Sequence, residues 1–214
     1  MKALILVNGE LYKPDILRSR ILAETFALVI SVDGGTRHAC TLNIIPDAII
    51  GDMDSISDAE KQAFNKAVFI CYPAEKDETD LELALLYAER QGVDHIVMVG
   101  AMGGRMDMSI ASILLITRSS SGSCRIEVWH GEQTGWVIRP PGEDISGHPG
   151  DMISLIPLTG AAAGITTTGL KYPLNDEELT LSPIRGISNL MEKPSVNIRL
   201  SDGLLLAIHT PGRL

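Results

Sequence analysis

Cysteine is scarce: Cys40, Cys71 and Cys124 are the only three in 214 residues, widely separated, with no C-x-x-C pair and no neighbouring pair of histidines. That excludes a zinc site and a redox dithiol, and an odd count suits a reducing compartment. Cys71 and Cys124 fall in or beside apolar runs and are expected to be small buried hydrophobes. Basic charge is short as well, with 18 Lys and Arg against 27 Asp and Glu and a formal net charge of -9. A nucleic-acid binder held by backbone phosphates is thereby excluded. The apolar run near the start, Ala3 to Val7, is too short for a signal segment or a membrane span, so a soluble cytoplasmic protein with no membrane partner is expected. The five histidines, His38, His95, His130, His148 and His209, stand in unrelated contexts and are assigned no chemistry. Internal repeats, heptads, a Walker A loop and a G-x-G-x-x-G fingerprint are all missing.

What is present in the first half is an alternation. Ala3–Val7, Ala27–Val32, Ala48–Ile50, Val68–Tyr72 and His95–Val99 read as strands apolar on both faces, each followed by a segment of helical spacing. The clearest helix carries Leu81, Ala84, Leu85 and Ala88 at i, i+3, i+4 and i+7, with Gly92 just past its end. Ser57 or Asp58 is expected to cap a helix through Ala59 and Phe64, and the last helix is expected to present Ile110, Ile113, Leu114 and Thr117 on one face. The predicted fold is α/β, a mainly parallel sheet with helices on both faces. At Ser119–Ser123 the composition changes, and helical periodicity ends. Short strand-like pieces follow at 125–129, 136–139, 152–156, 164–168, 169–172, 178–181, 196–200 and 204–208, with Asp202-Gly203 as a hairpin signal between the last two. This predicts a C-terminal all-β sandwich, so the domains are 1–123 and 124–214.

In a parallel sheet, ligands bind beyond the carboxyl ends of the strands. Asp33, Asp52, Asp54, Asp77, Asp80 and Asp107 all lie just after predicted strands and should gather on one edge. Ile50-Gly51-Asp52-Met53-Asp54-Ser55 is the centre of this pattern. Asp52 and Asp54 point the same way in extended backbone, and two carboxylates so close favour a hard divalent ion such as Mg2+ between them. Taken alone, each motif also has an ordinary explanation. The two acids are common turn residues, Asp33-Gly34-Gly35 makes an adequate strand-to-helix turn, and Asp77 serves equally as a helix cap. Gly100–Gly104 is a glycine-rich loop that gains weight from Arg105, suited to bidentate phosphate contact, and from Asp107. Lys76 adds a second phosphate-directed charge.

Together these motifs resemble the thiamine pyrophosphokinase family, whose pattern is a DGG after the second strand, a Pro-Asp before a GDxDS, a KDxTD opening a helix and a GGRxDH after a later strand. They stand here as Asp33–Gly35, Pro46-Asp47, Gly51–Ser55, Lys76–Asp80 and Gly103–Met108, and the resemblance continues through Thr168–Leu174 and Gly186–Asn189. It implies transfer of pyrophosphate from ATP to the hydroxyl of thiamine, releasing AMP, by a homodimer with thiamine between the α/β domain of one subunit and the β domain of the other. Asp52, Asp54 and Asp77 are then expected to hold Mg2+, with Asp80 and Asp107 completing the acidic cleft. Arg105, Lys76, Ser55, Asp33, Gly34, Gly35, Gly103 and Gly104 are expected around the phosphates, and Ser188 and Asn189 at thiamine. An aromatic face would suit the cationic thiazolium, with Trp129, Trp136 and Tyr172 as equal candidates. Met108 stands where the family has His, and a thioether donates no proton. Two alternatives therefore stay open: a pyrophosphokinase for another small alcohol such as a pterin, and a non-catalytic thiamine or nucleotide binder.

Overall fold

The computed structural model describes residues 1–118, 124–183 and 185–212. The chain divides into two compact units, Met1–Gly131 and Glu132–Leu214. The division comes after Gly131 rather than after Ser123, because Arg125–His130 pairs with the first unit's sheet. The serine-rich link at 119–123 lies outside the described residues.

Unit 1 alternates strand and helix: β1 (Lys2–Leu6), α1 (Pro14–Leu22), β2 (Leu28–Val32), α2 (Thr36–Leu42), β3 (Ala48–Gly51), α3 (Asp58–Ala63), β4 (Val68–Cys71), α4 (Asp80–Arg90), β5 (His95–Val99), α5 (Met106–Leu115) and β6 (Arg125–His130). Its strands lie in the order β6-β5-β1-β2-β3-β4, every pairing parallel. Strand pleating sends alternate side chains to opposite faces. Leu4 and Leu6 join one apolar cluster with Leu17 and Ile21 of α1, Ala39 and Leu42 of α2, and Phe64 beyond α3. Ile5 is equally buried and points to the other face, where α4 lies across β2 and β3 and buries Leu81, Ala84, Leu85 and Ala88. Each fully buried Leu or Ile contributes about 1.5–3 kcal/mol, and burial on both faces is why these strands read as continuous apolar runs.

The helix caps are local. Ser57 caps α3 in a reciprocal box with Glu60, and Thr79, not Asp77, caps α4 by accepting from the Glu82 N–H at 3.2 Å. α5 departs from expectation: only Ser112 is buried in it, while Ile110 and Leu114 are each 54% exposed and Met106 is 77% exposed. Among the cysteines only Cys124 is buried, and burial pushes its thiol up to about 11; Cys71 is exposed, at an outer strand's end.

Unit 2 is antiparallel. It contains β7 (Gln133–Ile138), β8 (Gly142–Ser146), β9 (Met152–Pro157), β10 (Ala161–Thr168), β11 (Glu177–Thr180), β12 (Asn189–Leu190), β13 (Ser195–Arg199) and β14 (Leu205–Thr210). The runs β12-β9-β14-β7 and β11-β10-β13-β8 enclose one core, with Ile153, Leu205 and Ala207 from the first facing Ile145, Ile165, Val196 and Ile198 from the second. Two local expectations fail. Residues 169–172 are not a strand and make only an isolated bridge, Leu170 to Met191. Asp202-Gly203 does not close a hairpin, since β13 pairs with β8 and β10 while β14 pairs with β7 and β9. The turn carries the chain from one sheet to the other.

Candidate functional site

Parallel pairing brings the ends of β1, β2, β3 and β5 to one edge of the sheet. β5 lies on one side of β1 and β2 on the other, so the strand order reverses between β1 and β5. Such a reversal opens a crevice at the carboxyl edge. A cavity of about 300 Å³ lies there, lined by Asn8 and Gly9 after β1, Asp33 after β2, Ser55, Asp80, then Gly100, Gly103 and Arg105 after β5, and Met108 and Ser112 of α5.

At its margin three carboxylates converge. Asp33, Asp52 and Asp54 each offer an oxygen, all within 4.8 Å of one another. Asp33 reaches this position by a left-handed backbone, φ 43°, in a short 3-10 turn held by the Thr36 hydroxyl donating to its carbonyl at 2.7 Å. Its Cβ lies so close to Gly51 that a Cβ there would approach it to 2.8 Å, which accounts for glycine at the end of β3. The Asp33 Oδ1 atom is buried with no hydrogen-bond partner among the described residues. Asp52 accepts from the Asp54 N–H at 3.1 Å, and Asp54 accepts from the Ser55 hydroxyl at 2.9 Å. A bare buried carboxylate oxygen beside two further carboxylates is costly until a cation arrives, and an all-oxygen set suits a hard divalent ion. Asp77 stands outside this triplet, exposed in the loop before α4.

Both cations assigned to phosphate rest on acids. Lys76 pairs with Asp80 at 2.8 Å and donates to the Pro73 carbonyl at 3.0 Å. Arg105 holds Asp107 bidentately, Nη2 to Oδ2 at 2.6 Å and Nε to Oδ1 at 3.1 Å, in an exposed pair. That guanidinium keeps the Asp107 carboxyl below the usual range, and the Met108 N–H at 2.9 Å adds to the effect. Gly34 and Gly35 are buried beneath the Asp33 turn, while Gly104 is exposed.

Unit 2 has its own smaller cavity, about 160 Å³, lined by Leu155, Leu170, Tyr172, Leu174, Arg185, Ile187 and Asn189. Asn189 locks the adjoining loop, its side chain accepting from the Tyr172 N–H at 3.0 Å and donating to the Tyr172 carbonyl at 2.7 Å. Ser188 is exposed at φ 58°, its N–H donating to the Ser154 hydroxyl at 3.0 Å, and it does not line the cavity. Of the three aromatic candidates, Trp129 and Trp136 are 5% and 4% exposed, and the Arg20 guanidinium already covers Trp129 at 4.0 Å. Tyr172 is the exposed one, at 62%, with the Lys171 Nζ over its ring at 5.5 Å.

Residues 20–128 match the catalytic domain of thiamin pyrophosphokinase, and residues 139–205 match the vitamin B1 binding domain of thiamin pyrophosphokinase. The chain belongs to the thiamin pyrophosphokinase family. A relative from Bacillus subtilis, a thiamine pyrophosphokinase, is 35% identical over 191 residues, 87% of this chain and 89% of its own. The crystal structure of the thiamine pyrophosphokinase from Bacillus subtilis superposes with a TM-score of 0.85 at 31% identity, covering 99% of both chains. The thiamin pyrophosphokinase from Geobacillus thermodenitrificans gives 0.80 at 28%, covering 98% of this chain and 97% of its own.

Within the thiamin pyrophosphokinase fold, each motif sends at least one residue to the crevice, Asp33, Ser55, Asp80, Gly103 and Arg105, while Lys76, Asp77, Gly104 and Asp107 are not among its lining residues. Asn8 and Gly9 carry no role in the motif reading, although Asn8-Gly9 ends β1 just as Asp33-Gly34 ends β2. The same rule, that residues following parallel strands face the ligand, would have found them.

Proposed function

We propose that this family member is a thiamine diphosphokinase that transfers the pyrophosphoryl group of ATP to the hydroxyl of thiamine. The hydroxyl oxygen forms a bond to the β-phosphorus, the bond from that phosphorus to the oxygen bridging the α-phosphate breaks, and AMP leaves with the electron pair. The hydroxyl proton passes to one of the acids at the crevice. Charge neutralisation and alignment do most of the work in such a transfer.

The observation that carries the reading is the Asp33, Asp52 and Asp54 triplet beside a crevice lined by Arg105 and Ser55. These three acids would hold Mg2+, which when bound offsets phosphate charge and acts as a Lewis acid. Asp80, the first residue of α4, lines the crevice, and Asp77 in the loop before it is assigned to the same acidic edge. Arg105 and Lys76 exchange carboxylate partners for phosphate oxygens when the triphosphate enters, and Asp107 and Asp80 are released as they do so. Gly34, Gly35, Gly103 and Gly104 supply close-approaching backbone around the phosphates. In unit 2 the exposed ring of Tyr172, with Asn189 bracing its loop and Ser188 beside it, suits the cationic thiazolium once the Lys171 ammonium over it swings away.

The reading includes self-association, which the exposed apolar stripe Met106, Ile110 and Leu114 on α5 supports. It also includes a cytoplasmic location. None of the cysteines is in a disulfide, and among the described residues no helix is long and apolar enough to cross a membrane.

Incubation with ATP, Mg2+ and thiamine, followed by chromatography for AMP and thiamine diphosphate, tests the proposal. ATP-dependent product from a pterin alcohol but not from thiamine would redirect it to the other substrate. Tight thiamine binding without AMP would make the protein a binder.

A further inference from the structure

His38 is buried in α2, 6% exposed, and no step above uses it. Its Nε2 lies 2.9 Å from the Gly9 carbonyl. A carbonyl only accepts, so Nε2 carries the proton and donates. The neighbouring residue of the same helix does the parallel thing, Arg37 Nη2 donating to the Asn8 carbonyl at 3.3 Å. Two consecutive carbonyls after β1 are thus tied to α2. From the opposite side the Gly9 N–H donates to the Gly100 carbonyl at 2.7 Å, and the Glu10 N–H to the Met102 carbonyl at 2.7 Å. The turn leaves no room for a side chain at its centre, since a Cβ on Gly9 would lie 2.4 Å from the Gly100 carbonyl oxygen. Asn8 is the residue this arrangement displays. It is exposed, lines the crevice, and rests against the Asp33-Gly34-Gly35 turn so closely that a Cβ on Gly34 would lie 2.5 Å from its side-chain nitrogen.

We propose that Asn8 is a substrate-contacting residue whose carboxamide donates to a phosphate oxygen of the nucleotide, and that His38 is its positioning residue, acting through the Gly9 carbonyl. The inference rests on the crevice being the nucleotide site. A carboxamide packed against the turn that carries Asp33 offers a neutral donor where Arg105 and Lys76 supply charged ones. Orientation is what makes such a donor effective, because a free asparagine side chain would have to be immobilised on binding.

Affinity for ATP with Mg2+, measured by calorimetry without thiamine, tests this on the full chain alongside thermal melting. Asn8→Ala should weaken ATP binding about tenfold with an unchanged melting temperature, as expected for one hydrogen bond to a charged group. His38→Leu, which removes the donor, should weaken it to a similar degree. His38→Gln, which keeps an N–H at comparable reach, should restore affinity to within about threefold, and His38→Leu combined with Asn8→Ala should be no weaker than about threefold below either alone. Equal losses in the Leu and Gln variants, a combined loss equal to the product of the two, or unchanged affinity in Asn8→Ala would overturn the proposal. Should His38→Leu fail to fold, Asn8→Ala still decides, because it trims an exposed side chain. Wild-type protein that binds no ATP would sink the nucleotide reading itself, whereas binding by the wild type and all variants alike would sink only this inference.

Discussion

Both units withdraw aspartate oxygens from water, and Asp151 of unit 2 and Asp33 of unit 1 are treated in opposite ways. In unit 2, Asp151 is 3% exposed and fully engaged. Its Oδ2 accepts from the His209 Nε2 and the His148 N–H, both at 2.8 Å, and its Oδ1 accepts from the Gly212 N–H at 2.8 Å. In unit 1, the Asp33 Oδ1 is buried and accepts from nothing described, while its carboxylate faces two more acids. A buried carboxylate with complete donors belongs to the fold's own stability. One without donors, held by a left-handed backbone beside like charges, opposes stability and is explained by a ligand. The difference separates a part of the scaffold from a part of the site without reference to any family.

The comparison breaks most sharply on activity. Asp33→Asn should cut turnover at least about 100-fold without lowering the melting temperature, since it removes a charge the fold leaves unsatisfied. Loss of folding in that variant would show Asp33 to be scaffold. Asp151→Ala should do the reverse, costing about 2–4 kcal/mol of stability and lowering the melting temperature by roughly 4–16 °C, with ATP affinity retained. An unaltered melting temperature would remove Asp151 from the scaffold.

Acid sharpens the contrast. Burial pushes the Asp151 carboxyl up, but the Gly212 and His148 N–H groups and the His209 ring outweigh it, so the folded value lies below the ordinary one. A depressed carboxyl contributes stability in full above its unfolded value, about 3.9, and loses it as pH falls through the folded value. Melting followed from pH 6 to 2 should hold its Asp151 contribution down to about pH 4 and fall below it, and Asp151→Asn should blunt that fall. A parallel acid profile in the variant would count against the assignment.

Mg2+ addresses the other half of the pair. Raising Mg2+ to ten times its dissociation constant should stabilise the protein by about 1.4 kcal/mol, and chelation should reverse it. Asp33→Asn and Asp54→Asn should abolish the shift, and Asp151→Asn should keep it. The smallest effect is expected at Met108, which lines the crevice in the first turn of α5. Met108→His should raise turnover by up to about tenfold by restoring a group able to exchange a proton. An unchanged rate would show that this position does not limit catalysis.

The alternation of apolar strands with amphipathic helices, and the placing of Asp33, Asp52, Asp80 and Arg105 just after strands, were legible because parallel pairing and two-sided burial leave periodic traces along the chain. The exposed apolar face of α5 was not legible, since the spacing of Ile110, Ile113 and Leu114 is that of a helix facing a core. Nor was the role of Asp202-Gly203, because a tight turn has the same composition whether its flanking strands pair or part into different sheets.

The order of residues settled which groups lie on the carboxyl edge of the sheet, since that depends only on strand direction. Which carboxylates come within 4.8 Å of one another, that Asp33 rather than Asp77 joins Asp52 and Asp54, and that His38 reaches the Gly9 carbonyl were settled by the folded arrangement alone. Those outcomes depend on backbone torsion at single residues and on contacts between strands distant along the chain, and neither leaves a periodic trace in the sequence.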